Sequence, residues 1–318
     1  NSRRDKMRKI LLASTALVAL GVSAASADIS ISGSGKWSYT SNSNSDDVTD
    51  ESGDSAATSM GITVASSFAS DSGLTYGTSH TLTDGAADGS KVYVTGSFGE
   101  VRFGGDSAGD AFKTNADVTD GESAVSGTAF HGAAVTGASG TNGISYFTPS
   151  VNGFSAGVSF GDAGAGTAEN ADVTEVGASY TQSVGDATVT LKYASTDVSA
   201  DNSTAANGYS ATSMGASITM GDLSITVSSN GKKMDTSGDG DESGTGIGVS
   251  YVLSEGLTLK AHTMSSDDND DADVDNSETA ASLTYVIAPG LTANVAYTDS
   301  ETEGVTGTAT TAYVKVAF

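Results

Sequence analysis

The sequence contains no cysteine, so no disulfide framework can staple the fold. Basic residues are also scarce: Lys and Arg number 14 against 39 Asp and Glu, for a formal net charge of −25. That balance argues against a nucleic-acid partner, because phosphates are held by Lys and Arg. Hydrophobic residues make up 37% of the chain, below the roughly 45–50% usual for globular domains counted with Gly. A large soluble core would need more. Nor does any stretch reach the roughly 18 apolar residues of a spanning helix. Low hydrophobicity with high charge can mean disorder, but here the apolar residues are gathered in short alternating runs.

The N-terminal part is read separately. Met7, Arg8 and Lys9 precede an apolar run over 10–20, and Ala-Ser-Ala at 25–27 resembles a small-residue cleavage site. This is a secretory signal pattern, too short to span a membrane. Residues 1–27 are therefore expected to be an upstream extension with a signal peptide. Residues 28–318 are expected to form one domain.

Within that domain one cadence recurs. GLTLKAHT (256–263), GLTANVAY (290–297), GFSAGVSF (153–160) and GLTYGTSH (73–80) each begin with Gly and then alternate apolar and polar residues. Such alternation is the mark of a strand with two unlike faces. Alternation and turn signals together predict sixteen strands. They fall at 29–40, 58–69, 74–83, 91–98, 101–104, 144–148, 154–161, 173–182, 187–194, 208–220, 223–229, 244–253, 257–265, 277–287, 291–300 and 308–318. Connections after even-numbered strands are tight (SDSG, GE, SVNG, VGD, GD, SEG, APG). Those after odd-numbered strands are mostly long and acidic: 41–57, 105–143, 162–172, 195–207, 230–243 and 266–276. An even number of antiparallel strands, with short turns at one end and long loops at the other, is the pattern of an outer-membrane barrel. Closure would satisfy every backbone hydrogen bond, which lipid demands. Helices have no sustained support in so much Gly and Thr. A solenoid would show a fixed period, which is absent. The fold expected is all-β, a 16-stranded antiparallel transmembrane β-barrel.

The last strand alternates Ala312, Val314, Val316 and Phe318 with Tyr313, Lys315 and Ala317. A terminal aromatic on an amphipathic strand resembles the assembly signal of bacterial outer-membrane proteins. VYVTGSFGEVRFGGD (92–106) and ISYFTPSVNGFSAGVSF (144–160) are similar to the hairpins that flank the long third loop of trimeric general-diffusion porins, the alphaproteobacterial branch above all. Together with the signal and the strand count, the resemblance covers the whole of 28–318. It implies a homotrimer in the outer membrane with one pore per subunit. It implies contacts with lipid and lipopolysaccharide, and recognition of Phe318 by the assembly machinery. It also implies a third loop, here 105–143, folded into the barrel to narrow it. The composition of that loop, rich in Gly, Ala, Thr and Ser, departs from the bulkier family pattern.

Strand parity assigns faces. If the more apolar set meets lipid, Ile29, Ile31, Trp37 and Tyr39 point outward in the first strand and Lys36 inward. The same rule turns Arg102, Lys192, Lys260, His262 and Lys315 to the lumen. A cation on the lipid face at mid-bilayer costs roughly 2–4 kcal/mol, so the lumen is the cheap phase. The third loop carries Asp106, Asp110, Asp117, Asp120 and Glu122 against Lys113. Acidic loop and basic wall would set a transverse field across a narrow water column, and the excess of acid predicts a preference for cations among small solutes.

Two further motifs bear on metal binding and catalysis. DDNDDADVDNSE (267–278) offers Asp267, Asn269, Asp271 and Glu278 at calcium-loop positions, but Ala272 stands where a Gly is required and the flanks are strands. A loose external calcium site is one reading, plain solvation of the charges the other. The histidines His80, His131 and His262 do not combine with a nucleophile elbow, so no enzyme is expected, and no cofactor beyond structural calcium. The alternatives are a substrate-specific porin with an aromatic slide, or a closed-lumen structural or adhesive barrel.

Overall fold

The computed structural model describes residues 28–44, 53–119, 143–162, 172–199, 208–235, 241–268, 275–302 and 305–318. Among them are sixteen strands and one short helix. The strands are β1 (Asp28–Asn44), β2 (Gly53–Ala69), β3 (Thr75–Thr83), β4 (Ala86–Gly96), β5 (Gly99–Gly104), β6 (Ile144–Phe147), β7 (Phe154–Asp162) and β8 (Asp172–Val184). Then follow β9 (Ala187–Val198), β10 (Tyr209–Met220), β11 (Leu223–Met234), β12 (Glu242–Ser254), β13 (Leu257–Asp268), β14 (Asp275–Ala288), β15 (Leu291–Thr302) and β16 (Val305–Ala317). The helix, α1 (Ala108–Phe112), follows β5. The predicted signal, residues 1–27, lies outside the described residues.

Each strand pairs antiparallel with the next, and β16 pairs back onto β1, so the barrel is closed. The closing seam ends on Phe318, whose N–H and C=O exchange 3.0 Å hydrogen bonds with Gly33. Its ring lies over that glycine, where a Cβ would come within 2.8 Å of it.

Turn chemistry sets the tight end. Gly153 has φ +83°, and a Cβ there would sit 2.0 Å from the Thr181 carbonyl, so only glycine lets the chain re-enter the wall at that point. The recurrent Gly of the cadence is this turn exit.

The alternation sorts as expected for a wall between lipid and water. Ile31, Trp37, Leu191, Leu259, Val295 and Val314 are exposed on the outside. Inside, hydroxyls pair across strands: Thr40 with Thr311 at 3.0 Å, Thr63 with Thr81 at 2.9 Å, Ser155 with Ser179 at 2.9 Å, Thr181 with Thr190 at 3.1 Å. Asn294 donates to Thr284 at 2.8 Å on the same face. The abundance of Ser and Thr is thereby explained: these residues fit a pleated surface and stay wet.

The structure corrects several strand ends. β1, β9, β11 and β13 run three to five residues beyond the predicted ends, to Asn44, Val198, Met234 and Asp268. Outward positions there are Ser41, Ser43, Ser195, Asp197, Gly231, Lys233 and Asp267, which give no apolar contrast to read. β14 likewise begins at Asp275, inside the stretch read as a calcium loop.

Candidate functional site

After β5 the chain turns inward, and residues 105–119 lie against the inner wall. The Ser107 hydroxyl accepts from the Asp110 N–H at 3.3 Å and caps α1. The Ala108 N–H donates to Ser159 Oγ of β7 at 2.6 Å, and Ser159 donates on to Ser145 at 2.8 Å. Phe112 is buried against Ala194 and Ala211 and tilts toward Phe147, ring centres 6.1 Å apart. Further along, the Thr114 N–H donates to Ser213 Oγ at 2.9 Å. Buried apolar clusters among the described residues are small: this contact of loop with wall, and Val173 with Val198 beside Tyr209.

The wall is carved to receive it. Gly157 and Gly177 lie beneath Phe112, Gly215 beneath Thr114, Gly246 and Gly248 beneath Ala116 and Val118. The fit is closest at Gly248, where a Cβ would stand 2.2 Å from the Ala116 carbonyl oxygen. Gly244, Gly246 and Gly248 occupy alternate positions of β12, all on the inward phase. This groove was missed in the sequence, although that regular Gly spacing was a visible signal.

Past the groove, Asp117 meets His262 of β13. Asp117 Oδ1 is 3.2 Å from His262 Nδ1, an ion-pair contact too poorly directed for a good hydrogen bond. On the other side His262 Nε2 is 2.7 Å from Glu278 Oε1 of β14. The His262 side chain is fully buried and Glu278 almost so. A loose external calcium site was one reading of Glu278 and plain solvation the other; its carboxylate faces the lumen side of the wall and is engaged with His262. Of the other expected calcium ligands, Asn269 and Asp271 lie outside the described residues, and Asp267 points outward at the end of β13. No cluster of three His, Asp or Glu suited to a metal occurs among the described residues.

Burial pushes the Asp117 carboxyl up. His262 and the Thr119 N–H and hydroxyl outweigh it and hold the carboxyl at about 2, below its ordinary 3.8. A depressed carboxyl stabilises the folded state fully above its ordinary value and loses that contribution as pH falls toward about 2. An NMR titration of the Asp117 carboxyl should therefore have its midpoint near 2. A midpoint at the ordinary value would mean that the contact with His262 is not made in solution.

The cations expected on the wall divide into three groups. Lys36 of β1 and Lys315 of β16 stand directly opposite each other in register, on the arc facing the described part of the loop. Lys192 of β9 and Lys260 of β13 lie on the side where the loop rests, and Lys192 Nζ donates to the Ala111 carbonyl at 3.4 Å. Arg102, at the root of the loop, is hydrogen-bonded to Glu100 and stacks 4.3 Å above the centre of Phe147. Lys91 and Lys232 were not singled out from the sequence. They lie 5.7 Å over Tyr93 and 5.5 Å over Tyr209, and Lys36 lies 5.4 Å over Tyr313. On the loop, Asp110 pairs with Lys113 at 2.7 Å and Asp106 is exposed. Asp120 and Glu122 lie outside the described residues.

A closed sixteen-strand wall, apolar outside, hydroxyl-lined inside and narrowed by an inward segment, defines a β-barrel channel of the outer membrane. The sequence profile described as Gram-negative porin matches residues 13–305, and the chain belongs to that family. Among curated proteins none matches. The anion-selective porin from Comamonas acidovorans is 16% identical with a TM-score of 0.64, over 92% of this chain and 100% of that one. The in-vitro folded, trimer form of OmpT from Vibrio cholerae is 12% identical with a TM-score of 0.67, over 93% and 100%. A mutant of the Rh. blastica porin is 18% identical with a TM-score of 0.62, over 92% and 100%. At these identities the likeness is one of fold. The chain forms an outer-membrane porin channel.

Proposed function

We propose that the channel is a general-diffusion pore that passes small hydrophilic solutes and prefers cations. The observation that carries this reading is the division of charge across the lumen. Asp106, Asp110 and Asp117 lie on the loop, and Lys36 and Lys315 stand on the facing arc. Unlike charges across a narrow water column orient polar solutes and disfavour apolar ones. The excess of acid in the chain, −25 overall, gives cations the advantage. This sign is opposite to that in the name of the Comamonas porin, whose selectivity is its own.

The rival reading, a solute-specific pore with an aromatic slide, needs bare ring faces. Tyr93, Phe147, Tyr209 and Tyr313 each lie beneath a cation, which weakens it. Catalysis has no support either: His80 bonds Ser90 on the outer face and His262 faces inward, so the two share no site, and His131 lies outside the described residues. A homotrimer, and use of Phe318 by the assembly machinery, follow from family resemblance.

The test is the reversal potential of reconstituted channels in a salt gradient. Cation preference is expected. Arg102→Glu should strengthen it, since it adds a carboxylate beside Glu100. Anion selectivity, or an unchanged potential in the variant, would overturn the charge reading. Absence of conductance steps would favour a closed barrel.

A further inference from the structure

We infer that His262 is the positioning residue that sets the aperture of the pore, by pinning the inward loop at Asp117. The inference rests on the pore reading above but concerns residues that reading does not use. Three observations converge on it. The described part of the loop is held along its path by a serine cap, backbone donation to Ser159 and Ser213, glycine sockets and Lys192 at the Ala111 carbonyl, and Gly109 rests on the buried Glu175. At Asp117 the loop's own carboxylate meets an ionisable group buried in the wall. Second, that group is gripped from behind. Glu278 of β14, almost wholly buried, contacts the nitrogen that faces away from the loop. Carboxylate oxygens at 3.2 Å from one nitrogen and 2.7 Å from the other favour the charged imidazolium ring. Third, the strand positions beside the ring are small: His262 stands opposite Gly248 of β12 and Ala280 of β14. Lys260, two residues away on β13, is the nearest other cation to it in sequence.

Charge in such a place does work that packing cannot. The glycine groove fixes how closely the loop can approach the wall, but apolar contact is non-directional and allows sliding along the groove. An ion pair at the end of the described segment fixes the register of the loop along it. Asp117 therefore stands at a set depth in the lumen, where its carboxylate also contributes to the field. Glu278 orients the ring from the far side, as a buried carboxylate commonly does for a functional histidine.

The experiment compares Asp117→Asn, His262→Phe and the double variant with the full native chain. Single-channel conductance, open-channel noise and the size limit for polyethylene glycols of graded length are measured in planar bilayers. Hydrogen exchange of the 107–117 segment is read in parallel by mass spectrometry. Each single variant is expected to raise noise, move the size limit to larger polymers and lose protection in the segment. The double variant is expected to do no more than either single, because both remove one coupling. Asp117→Asn changes the loop alone, so it remains informative if His262→Phe does not fold. Folded variants with native conductance, native size limit and native protection would overturn the inference. So would additive effects in the double variant. If the native chain gives no conductance steps, the pore reading falls, and the exchange data still decide whether His262 pins the loop.

Discussion

Replacing Leu191 by arginine should destabilise the barrel by roughly 2–4 kcal/mol, the cost of a cation on the lipid face near mid-bilayer. That is about a 30- to 900-fold shift in the folding equilibrium. Leu191 is half exposed on the outer face of β9, between Tyr180 and Ala216 of the flanking strands. The neighbouring residue is Lys192, which carries the same kind of charge without that penalty because it faces the lumen. Thr188→Arg, three residues earlier on the inward phase, is the matched control and should be near neutral. Urea unfolding in lipid vesicles measures both. Equal losses in the two variants would mean that the faces of β9 are not as described.

The second large effect is expected at Gly248. Valine there brings a Cβ to within 2.2 Å of the Ala116 carbonyl and 2.7 Å of a Val118 methyl. Backbone cannot yield as a side chain can, so the segment must lift from the wall into the lumen. Overpacking of this kind costs typically 1–3 kcal/mol, and here part of that strain is relieved by moving the loop. The expected result is a lower single-channel conductance with the barrel intact. Gly35→Val is the control: an added Cβ meets nothing within 4 Å there, and valine suits a strand facing lipid. A native conductance in Gly248→Val would show that the loop does not occupy the groove.

The wall was largely legible in the sequence because lipid and water differ at every second residue, and parity alone assigns a face. Lys260 between Leu259 and Ala261 could be turned inward without any knowledge of the rest of the fold. Legibility failed where that contrast disappears. Above the apolar band the outward residues of β9 and β13 are Ser195, Asp197 and Asp267, as polar as the lumen, and the strands seemed to end early. The same loss of contrast made the start of β14, Asp275 and Asn276, read as loop. Parity also says nothing about partners. Thr114 and Ser213 are 99 residues apart, and no local spacing announces that they touch. That Arg102 would be neutralised by Glu100, two residues away, was within reach of the pattern, since residues i and i+2 share a strand face. The alternate glycines of β12 could likewise have been read as a place where another backbone comes close.

The seam between β1 and β16 has a consequence in time. The first and last strands of the wall are neighbours, and the seam between them runs to the hydrogen bonds of Gly33 with Phe318. A fragment without β16 cannot complete the cylinder. Until β16 is made and exported, any partial sheet has two open edges, which invite pairing with other chains. Closure over so long a sequence separation is also intrinsically slow. The chain must therefore spend an interval as an open sheet or an unfolded polymer between synthesis and insertion. During that interval its protection has to come from outside its own fold, and the dense negative charge that repels one copy from another is a first contribution to it.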